Sequence, residues 1–76
     1  MGGTVLQVLQ SSGGWSLLDD CEVIFWFPEK VGAIETARIM ADARHEFDGR
    51  PTCVQAQDDK GVLHLLWAFG YFPQAH

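Results

Sequence analysis

The chain has 76 residues, with ten Asp and Glu against five Lys and Arg, a formal net charge of −5 and a hydrophobic fraction of 47%. This length predicts a single domain over residues 1–76, and the hydrophobic fraction argues against disorder. The five cations are scattered, which argues against nucleic acid as a partner, because phosphate contacts require clustered positive charge.

The N-terminal part of the chain is predicted to be extended. Residues 4–10 are rich in Val and Leu and indicate a strand, and Gly13 and Gly14 supply the backbone freedom for a turn. Residues 15–18 then pair back as the second arm of a hairpin. Residues 21–27 are dense in Val, Ile, Phe and Trp, and they form either a third strand or the continuation of the second strand past a bulge.

A long amphipathic helix is predicted over residues 28–47. Pro28 suits the first turn of a helix, because its φ is fixed and its missing N–H is not needed there, and Gly49 with Pro51 ends the helix. At about 100° per residue, the face expected to pack on a sheet consists of Ala33, Ala37, Met40, Ala43 and Phe47, flanked by Ile34, Ile39 and Ala41. The face expected in water consists of Glu35, Arg38, Asp42 and Glu46.

The C-terminal part of the chain is predicted to form a second hairpin. Residues 52–57 indicate a strand and residues 58–61 a turn, while residues 62–69 indicate a strand or a short helix. The predicted fold is therefore α+β, with an antiparallel sheet of four to five strands and one long α-helix packed on one face.

Motifs for catalysis or metal binding are not recognisable in this sequence. The histidines and cysteines lack the spacing of zinc ligands, and residues 58–61 lack the alternating ligands and distal Glu of a calcium loop. The acidic residues at 19–22 are expected to form a solvated loop. Cys21 and Cys53 are expected to be reduced and buried. We therefore expect no catalytic residue, no metal and no cofactor.

The pattern that does suggest a function is a failure of alternation in residues 21–27 and 62–69, where both strand faces are apolar. Strict alternation groups Val23 with Phe25 and Phe27, and it groups Leu63, Leu65, Trp67 and Phe69. One helix covers one face of a sheet, and an exposed apolar patch above a few hundred Å² is unusual on a monomer. The expected interface or binding residues are Ile24, Trp26, Leu63, Leu65, Trp67 and Phe69.

The leading functional hypothesis is a non-enzymatic protein-interaction module that forms a homodimer or binds another protein through this face. One alternative is a small-molecule-binding domain with an aromatic pocket for an apolar ligand between the sheet and the tail. Another is an antitoxin-like inhibitor of a partner protein. A further reading lets the tail, with Tyr71 and Phe72, cover the face by itself. The apolar runs are too short to cross a membrane and the N-terminus does not resemble a signal peptide, so we expect a cytoplasmic protein.

Several short motifs carry a resemblance to known proteins. The Gly14-Trp15 step, the Phe-Pro-Glu-Lys helix start, the Ala33/Ala37 spacing and the Asp59-Lys60-Gly61 turn resemble small uncharacterised bacterial domains of unknown function with a strand–strand–helix–strand–strand plan. The resemblance covers about residues 5–70, and it implies a fold without an activity or functional residues. In outline the chain is also similar to antitoxins with a partial ribonuclease H fold.

Overall fold

Residues 4–70 are described by the computed structural model, and they form five strands and one helix. In chain order these elements are β1 (Thr4–Ser11), β2 (Gly14–Asp19), β3 (Glu22–Phe27), α1 (Lys30–Asp48), β4 (Thr52–Gln57) and β5 (Leu63–Phe69). The predicted α+β class, with one long helix packed on one face of a sheet, is confirmed. The two segments whose form the sequence left open are separate strands at the two edges of the sheet.

The strand order β3-β2-β1-β4-β5 places β1 at the centre of the sheet. β1 runs antiparallel to β2 but parallel to β4, so the sheet is mixed and the prediction of a purely antiparallel sheet is wrong. The reason is the crossover connection. α1 carries the chain back along the sheet after β3, and β4 therefore starts at the same end as β1 and runs in the same direction.

Both N-terminal hairpins use two-residue turns in which each residue has a positive φ. These angles are 50° and 76° for Ser12 and Gly13, and 51° and 73° for Asp20 and Cys21. Turns of this kind match the right-handed twist of the flanking strands. The second turn is also bound to β1, because the N–H of Asp20 donates to the carbonyl of Val5 (3.0 Å) and the carboxylate of Asp20 accepts from the N–H of Val5 (3.0 Å).

The helix starts two residues later than predicted and ends as expected. Pro28 lies before the helix, and Glu29 is its extended N-cap residue with φ −129° and ψ 145°, so the first helical residue is Lys30. Pro28 and Glu29 are used for the corner between β3 and α1 instead. At the other end Gly49 adopts the left-handed conformation, with φ 68°, and its N–H donates to the carbonyl of His45.

The predicted buried face of α1 is rotated relative to the observed one. Ala33, Ala37 and Ala41 are fully buried, which places the centre of the buried stripe about 60° from the predicted centre, at about 100° per residue. Residues expected on or beside the buried face are exposed instead: Ile39 (62%), Ala43 and Phe47 (88%). Three alanines spaced by four residues form a smooth row that lets the helix backbone lie close to the sheet.

Two cations of α1 fix this rotation. The Nζ atom of Lys30 lies 4.9 Å from the centre of the Trp15 ring on β2, and the guanidinium of Arg44 binds the carboxylate of Asp19 at the end of the same strand. Both cations lie close to the alanine stripe on the helical wheel. Because these contacts join residues far apart in sequence, helical periodicity alone does not predict them.

The core lies between α1 and the central strands. Its buried members outside the helix are Leu6, Val8, Leu17, Val54 and Ala56. At the edge of this core the hydroxyl groups of Thr4 and Thr52 form a buried hydrogen bond of 3.0 Å between the parallel strands β1 and β4. This core uses one face of the sheet and leaves the other without a helix.

Candidate functional site

Only one face of the sheet is covered by α1. Leu6 and Val8 of β1 are buried in the core, so the odd-numbered side chains of β1 point away from the helix. Residues opposite each other in neighbouring strands share a face, which extends the assignment across the sheet. We call the face that points away from α1 the helix-free face, and its central members are Val5, Gln7, Leu9, Cys53, Gln55 and Gln57.

β5 changes face midway because it contains a β-bulge. Val54 lies opposite Trp67, but the next residue, Gln55, lies opposite Leu65, so Leu66 is an extra residue in β5. The members of β5 on the helix-free face are therefore Leu63, Leu65 and Ala68, and those on the helix side are His64, Trp67 and Phe69.

Contacts with α1 and the core agree with this assignment. The guanidinium of Arg38 lies 5.8 Å from the centre of the Trp67 ring, and Phe69 packs against the buried core cluster. The prediction that Trp67 and Phe69 share a face with Leu63 and Leu65 is therefore wrong. Strict alternation holds only up to a bulge, and the extra residue shifts every later side chain of the strand to the other face.

The opposite edge strand, β3, has the same kind of irregularity. Leu17 lies opposite Phe25, whereas Leu18 lies opposite Val23, so Ile24 is the extra residue. Strict alternation also places Ile24 on the same face as Trp26, and this expectation is wrong, because Ile24 packs against the core cluster whereas Trp26 lies on the helix-free face. The members of β3 on the helix-free face are Val23 and Trp26, and those on the helix side are Phe25 and Phe27.

Trp26 is held on the helix-free face by the first hairpin. Its indole Nε1–H donates to the carbonyl of Ser11 over 3.0 Å. A Cβ atom at position 14 would lie 2.3 Å from Cζ2 of this indole and 2.5 Å from the carbonyl oxygen of Phe27. Gly14 is thus required by the close approach of a ring and a neighbouring strand. The indole stays 50% exposed in this fixed position.

The six predicted interface residues are divided between the two sides of the sheet. Those on the helix-free face are all well exposed: Trp26 (50%), Leu63 (40%) and Leu65 (53%). Those that pack towards α1 or the core are Ile24, Trp67 and Phe69. The sequence prediction missed Val23, which is 60% exposed on the helix-free face. An odd–even count assigns this residue to the face of Phe25, and no local signal marks the bulge that separates them.

Charge is distributed unevenly between the two sides of the molecule. None of the ten acidic and five basic side chains, all of which lie within residues 4–70, occupies a strand position on the helix-free face. The charges lie on α1, in the turns and at the helix side of the strand ends. The strand positions of the face therefore carry only apolar, amide, hydroxyl and thiol side chains on a chain whose net charge is −5, and the carboxylate of Asp20, in the adjoining turn, lies beside Gln7 and Gln55.

The centre of this face is polar but uncharged. Gln7 and Gln55 lie opposite each other in the parallel pair β1–β4, and Nε2 of Gln7 donates to Oε1 of Gln55 over 2.9 Å. Both side chains are half-buried. Within residues 4–70 the remaining amide groups, Oε1 of Gln7 and Nε2 of Gln55, have no hydrogen-bond partner. The pair therefore offers one unbonded oxygen and one unbonded NH2 group side by side, and the sequence prediction did not single it out.

A shallow depression of ≈ 390 Å³ adjoins this pair, lined by Val5, Gln7, Gln55, Asp20 and Cys21. Among residues 4–70 no aromatic ring lines it, and the tail of the predicted aromatic pocket lies outside the described residues. Both cysteines are free thiols, but Cys21 is exposed in its turn, contrary to prediction, whereas Cys53 is buried. Burial raises the pKa of the Cys53 thiol.

The acidic residues are used for local structure. Asp58 accepts hydrogen bonds from the N–H groups of Lys60 (2.8 Å) and Val62 (2.9 Å), and its other oxygen lies 2.8 Å from Nε2 of His64. The bond to His64 and the two backbone N–H groups lower the pKa of Asp58 to about 2. Asp20 and Glu22 are exposed as expected of a solvated loop, although Asp20 also binds the N–H of Val5, whereas Asp19 is half-buried in its contact with Arg44.

Across residues 4–70, no three His, Cys, Asp or Glu side chains converge in a way that would hold a metal ion; His76 lies outside this range. In the same part of the chain, α1 lacks the continuous apolar length that a membrane crossing needs. Comparison of the chain with protein-family models, with curated proteins and with solved structures found no significant match.

Proposed function

We propose that this chain is a non-enzymatic interaction module that self-associates by burying its helix-free face against a second copy. The observation that carries the proposal is the combination of exposed apolar side chains with the exclusion of charge from the same face. Those side chains are Val23, Trp26, Leu63 and Leu65, which are 40–60% exposed. The buried core of a protein interface is apolar and depleted of charge, and Trp is among the residues most enriched at its energetic hot spots.

The charge distribution favours a second copy over a partner of opposite charge. Two chains with a net charge of −5 repel each other, and they approach most closely through a surface whose strand positions carry no charge. A basic partner would instead be expected to meet acidic residues in its contact surface. An isologous dimer also needs only one patch, because the same surface serves both copies.

The area of the face fits a weak, reversible dimer. Its five strands have six to eight residues each, which gives a flat area of roughly 500 Å² at about 4.8 Å between strands and about 3.3 Å per residue. Specific complexes of standard size bury about 800 Å² per partner. We therefore expect a dissociation constant in the micromolar range rather than an obligate dimer.

The edges of the sheet are less suitable for association than its face. Each edge strand carries a bulge, at Ile24 in β3 and at Leu66 in β5. Bulges twist an edge away and interrupt the row of backbone groups that a second strand would need. In β5 the bulge also prevents continuous antiparallel self-pairing, because residues equidistant from Leu66, such as Leu63 and Phe69, point to opposite faces.

The proposal is tested by sedimentation equilibrium over a range of concentrations with a matched pair of variants. Leu65→Lys places a charge at the centre of the β5 side of the helix-free face, and Ile39→Lys places the same charge at a similarly exposed apolar residue of α1. We expect wild type and Ile39→Lys to dimerise at micromolar concentration and Leu65→Lys to remain monomeric. Leu65→Thr, which keeps the preference for a strand, serves as the second variant should Leu65→Lys unfold.

Three results would contradict self-association through this face. A wild-type monomer at several hundred micromolar would do so, as would a dimer that both lysine variants weaken equally. If the chain dimerises only after removal of residues 71–76, the helix-free face is covered by the tail in the intact chain. We also expect the dimer to tighten as salt rises, because salt screens the repulsion between two acidic copies.

A second candidate is a small-molecule-binding domain, which the depression beside Cys21 and Gln55 favours. It predicts a monomer in which the fluorescence of Trp26, on the same face, responds to a small ligand. Titration of monomeric protein with a panel of small apolar amides and aromatics, compared with Trp26→Phe, separates this candidate from the dimer.

A further inference from the structure

We infer that the Gln7–Gln55 amide pair lies on the two-fold axis of this dimer and sets its register, with Gln7 of one copy bonded to Gln55 of the other; the inference rests on the self-association proposed above. β1 is the central strand and β4 its neighbour, so the pair lies near the middle of the helix-free face. Apolar side chains lie on both sides of it, from β3 in one direction and from β5 in the other.

Only one orientation of the two-fold axis lets the unbonded groups of the amide pair meet their complements in the other copy. One hydrogen bond is made within the chain, which leaves the oxygen of the donating amide and the NH2 group of the accepting amide without a bond, whichever glutamine donates. An axis in the interface, parallel to the strands and midway between β1 and β4, places Gln7 of each copy over Gln55 of the other. The free oxygen then meets the free N–H twice. An axis perpendicular to the strands places like over like, oxygen against oxygen.

The same axis brings the apolar side chains of the two copies together. Rotation about it places β5 of one copy over β2 of the other. It also keeps each row of residues, meaning those that lie opposite one another in neighbouring strands, over the same row of the partner. Leu18 and Val23 share a row with Gln7, and Leu65 shares a row with Gln55. Leu65 of one copy therefore packs against Leu18 and Val23 of the other. Trp26 extends towards β2, where it approaches Gly14, and so also faces the partner's β5.

An uncharged polar pair at the centre of an apolar interface selects one register. A shift by one strand would bury two amides without partners, and a buried unpartnered polar group is costly. A single polar residue in an apolar coiled-coil seam has the same effect on register and oligomeric state. On this basis the amides contribute specificity, while the leucines and Trp26 contribute most of the affinity.

The axis is tested by cross-linking through introduced cysteines in a Cys21→Ser background, with the buried Cys53 retained. Copies with Leu18→Cys and copies with Leu65→Cys are mixed and treated with a short bismaleimide. The proposed axis predicts a cross-linked heterodimer from the mixture and little product from Leu65→Cys alone, because the two Leu65 positions are then offset by about 14 Å, or three strand spacings, in addition to the distance between the two sheets. Phe47→Cys, exposed on α1, is the control that should not cross-link.

The outcomes separate this inference from the proposed function. A homodimer cross-linked through Leu65→Cys alone would overturn the axis while leaving self-association intact. A monomer in sedimentation with no cross-link in any mixture would overturn both. If sedimentation shows a dimer and the mixture does not cross-link, the register is wrong.

The role of the amides is tested separately by the dissociation constant. Gln7→Leu and Gln55→Leu each leave one amide per copy without a partner in the dimer, and we expect each to raise the dissociation constant at least about tenfold, equivalent to about 1.4 kcal/mol. The double variant removes both amides, and we expect it to return to within about threefold of wild type. Additive weakening in the double variant would overturn the assignment. Thermal melts of dilute monomer, expected to be nearly unchanged, control for effects on the fold.

Discussion

Arg44 of α1 donates hydrogen bonds from both terminal guanidinium nitrogens to the two carboxylate oxygens of Asp19 at the end of β2, one of them over 2.9 Å. This fork-to-fork contact joins the last turns of the helix to the sheet. The hydrogen bond from Arg44 lowers the pKa of the Asp19 carboxyl, and the bond to Asp19 raises the pKa of Arg44. The contact therefore fixes the rotation of α1 as well as its position along the sheet.

Loss of this contact should lower the free energy of unfolding. We expect Asp19→Asn to cost about 1 kcal/mol, since a hydrogen bond to a charged group contributes about 1.5–3 kcal/mol and partial exposure of both side chains reduces that contribution. Glu46→Gln, at an exposed helical position, is the control and should stay within about 0.5 kcal/mol. Equal effects of the two variants in urea melts would show that the ion pair does not anchor the helix.

The rotation of α1 predicts a contrast between two alanines that lie two residues apart. Ala41 is fully buried and Ala43 is exposed. Ala41→Glu should destabilise the fold by at least about 2 kcal/mol, because it places a charge and extra volume in a packed interface. Ala43→Glu should remain within about 0.5 kcal/mol of wild type. If Ala43→Glu lowered the melting temperature more than Ala41→Glu, the buried face predicted from periodicity alone would be correct.

Gly14 should not tolerate a side chain. Gly14→Ala places a methyl group 2.3 Å from the Trp26 ring and 2.5 Å from the carbonyl oxygen of Phe27, and we expect a loss of about 1–3 kcal/mol. Removal of the ring in the double variant Gly14→Ala/Trp26→Ala should not restore stability, because the clash with the backbone oxygen remains. Full recovery in the double variant would show that the ring alone requires glycine at this position.

Acid should destabilise the fold through two carboxylates whose pKa values are lowered. Asp58 has a folded pKa of about 2 against an ordinary value of 3.8, and the pKa of Asp19 is lowered as well. A lowered folded pKa means that the contribution is present above the unfolded pKa and is lost as the pH falls through the folded value. Stability should therefore decrease as the pH falls from about 4 to 2.

Asp58→Asn separates the two contributions to this acid sensitivity. The amide retains an oxygen for the N–H groups of Lys60 and Val62 but does not titrate. The free energy of unfolding of the Asp58→Asn variant should therefore fall less steeply than that of wild type over the same pH range. Parallel pH profiles for Asp58→Asn and wild type in urea melts would mean that the Asp58 cluster contributes nothing to acid unfolding.

Local features of the chain were predictable from the sequence. β4 lies at residues 52–57 as predicted, and Gly49 ends the helix in the left-handed conformation. These features depend on interactions within a few residues, such as β-branched side chains in extended backbone and a glycine without a Cβ. The presence of exposed apolar surface was also predictable, because two strands are apolar on both faces and one helix covers only one face of the sheet.

The identity of the exposed side chains was decided only by the tertiary structure. The bulges at Ile24 and Leu66 depend on pairing with β2 and β4, and they move Trp67 and Phe69 to the helix side. The parallel pairing of β1 with β4 brings Gln7 beside Gln55, although 48 residues separate them in the chain. The rotation of α1 places Arg44 against Asp19, on a strand that precedes the helix in the chain. Each of these depends on a contact between two different elements of the fold, and a periodic pattern within one segment carries no information about its partner.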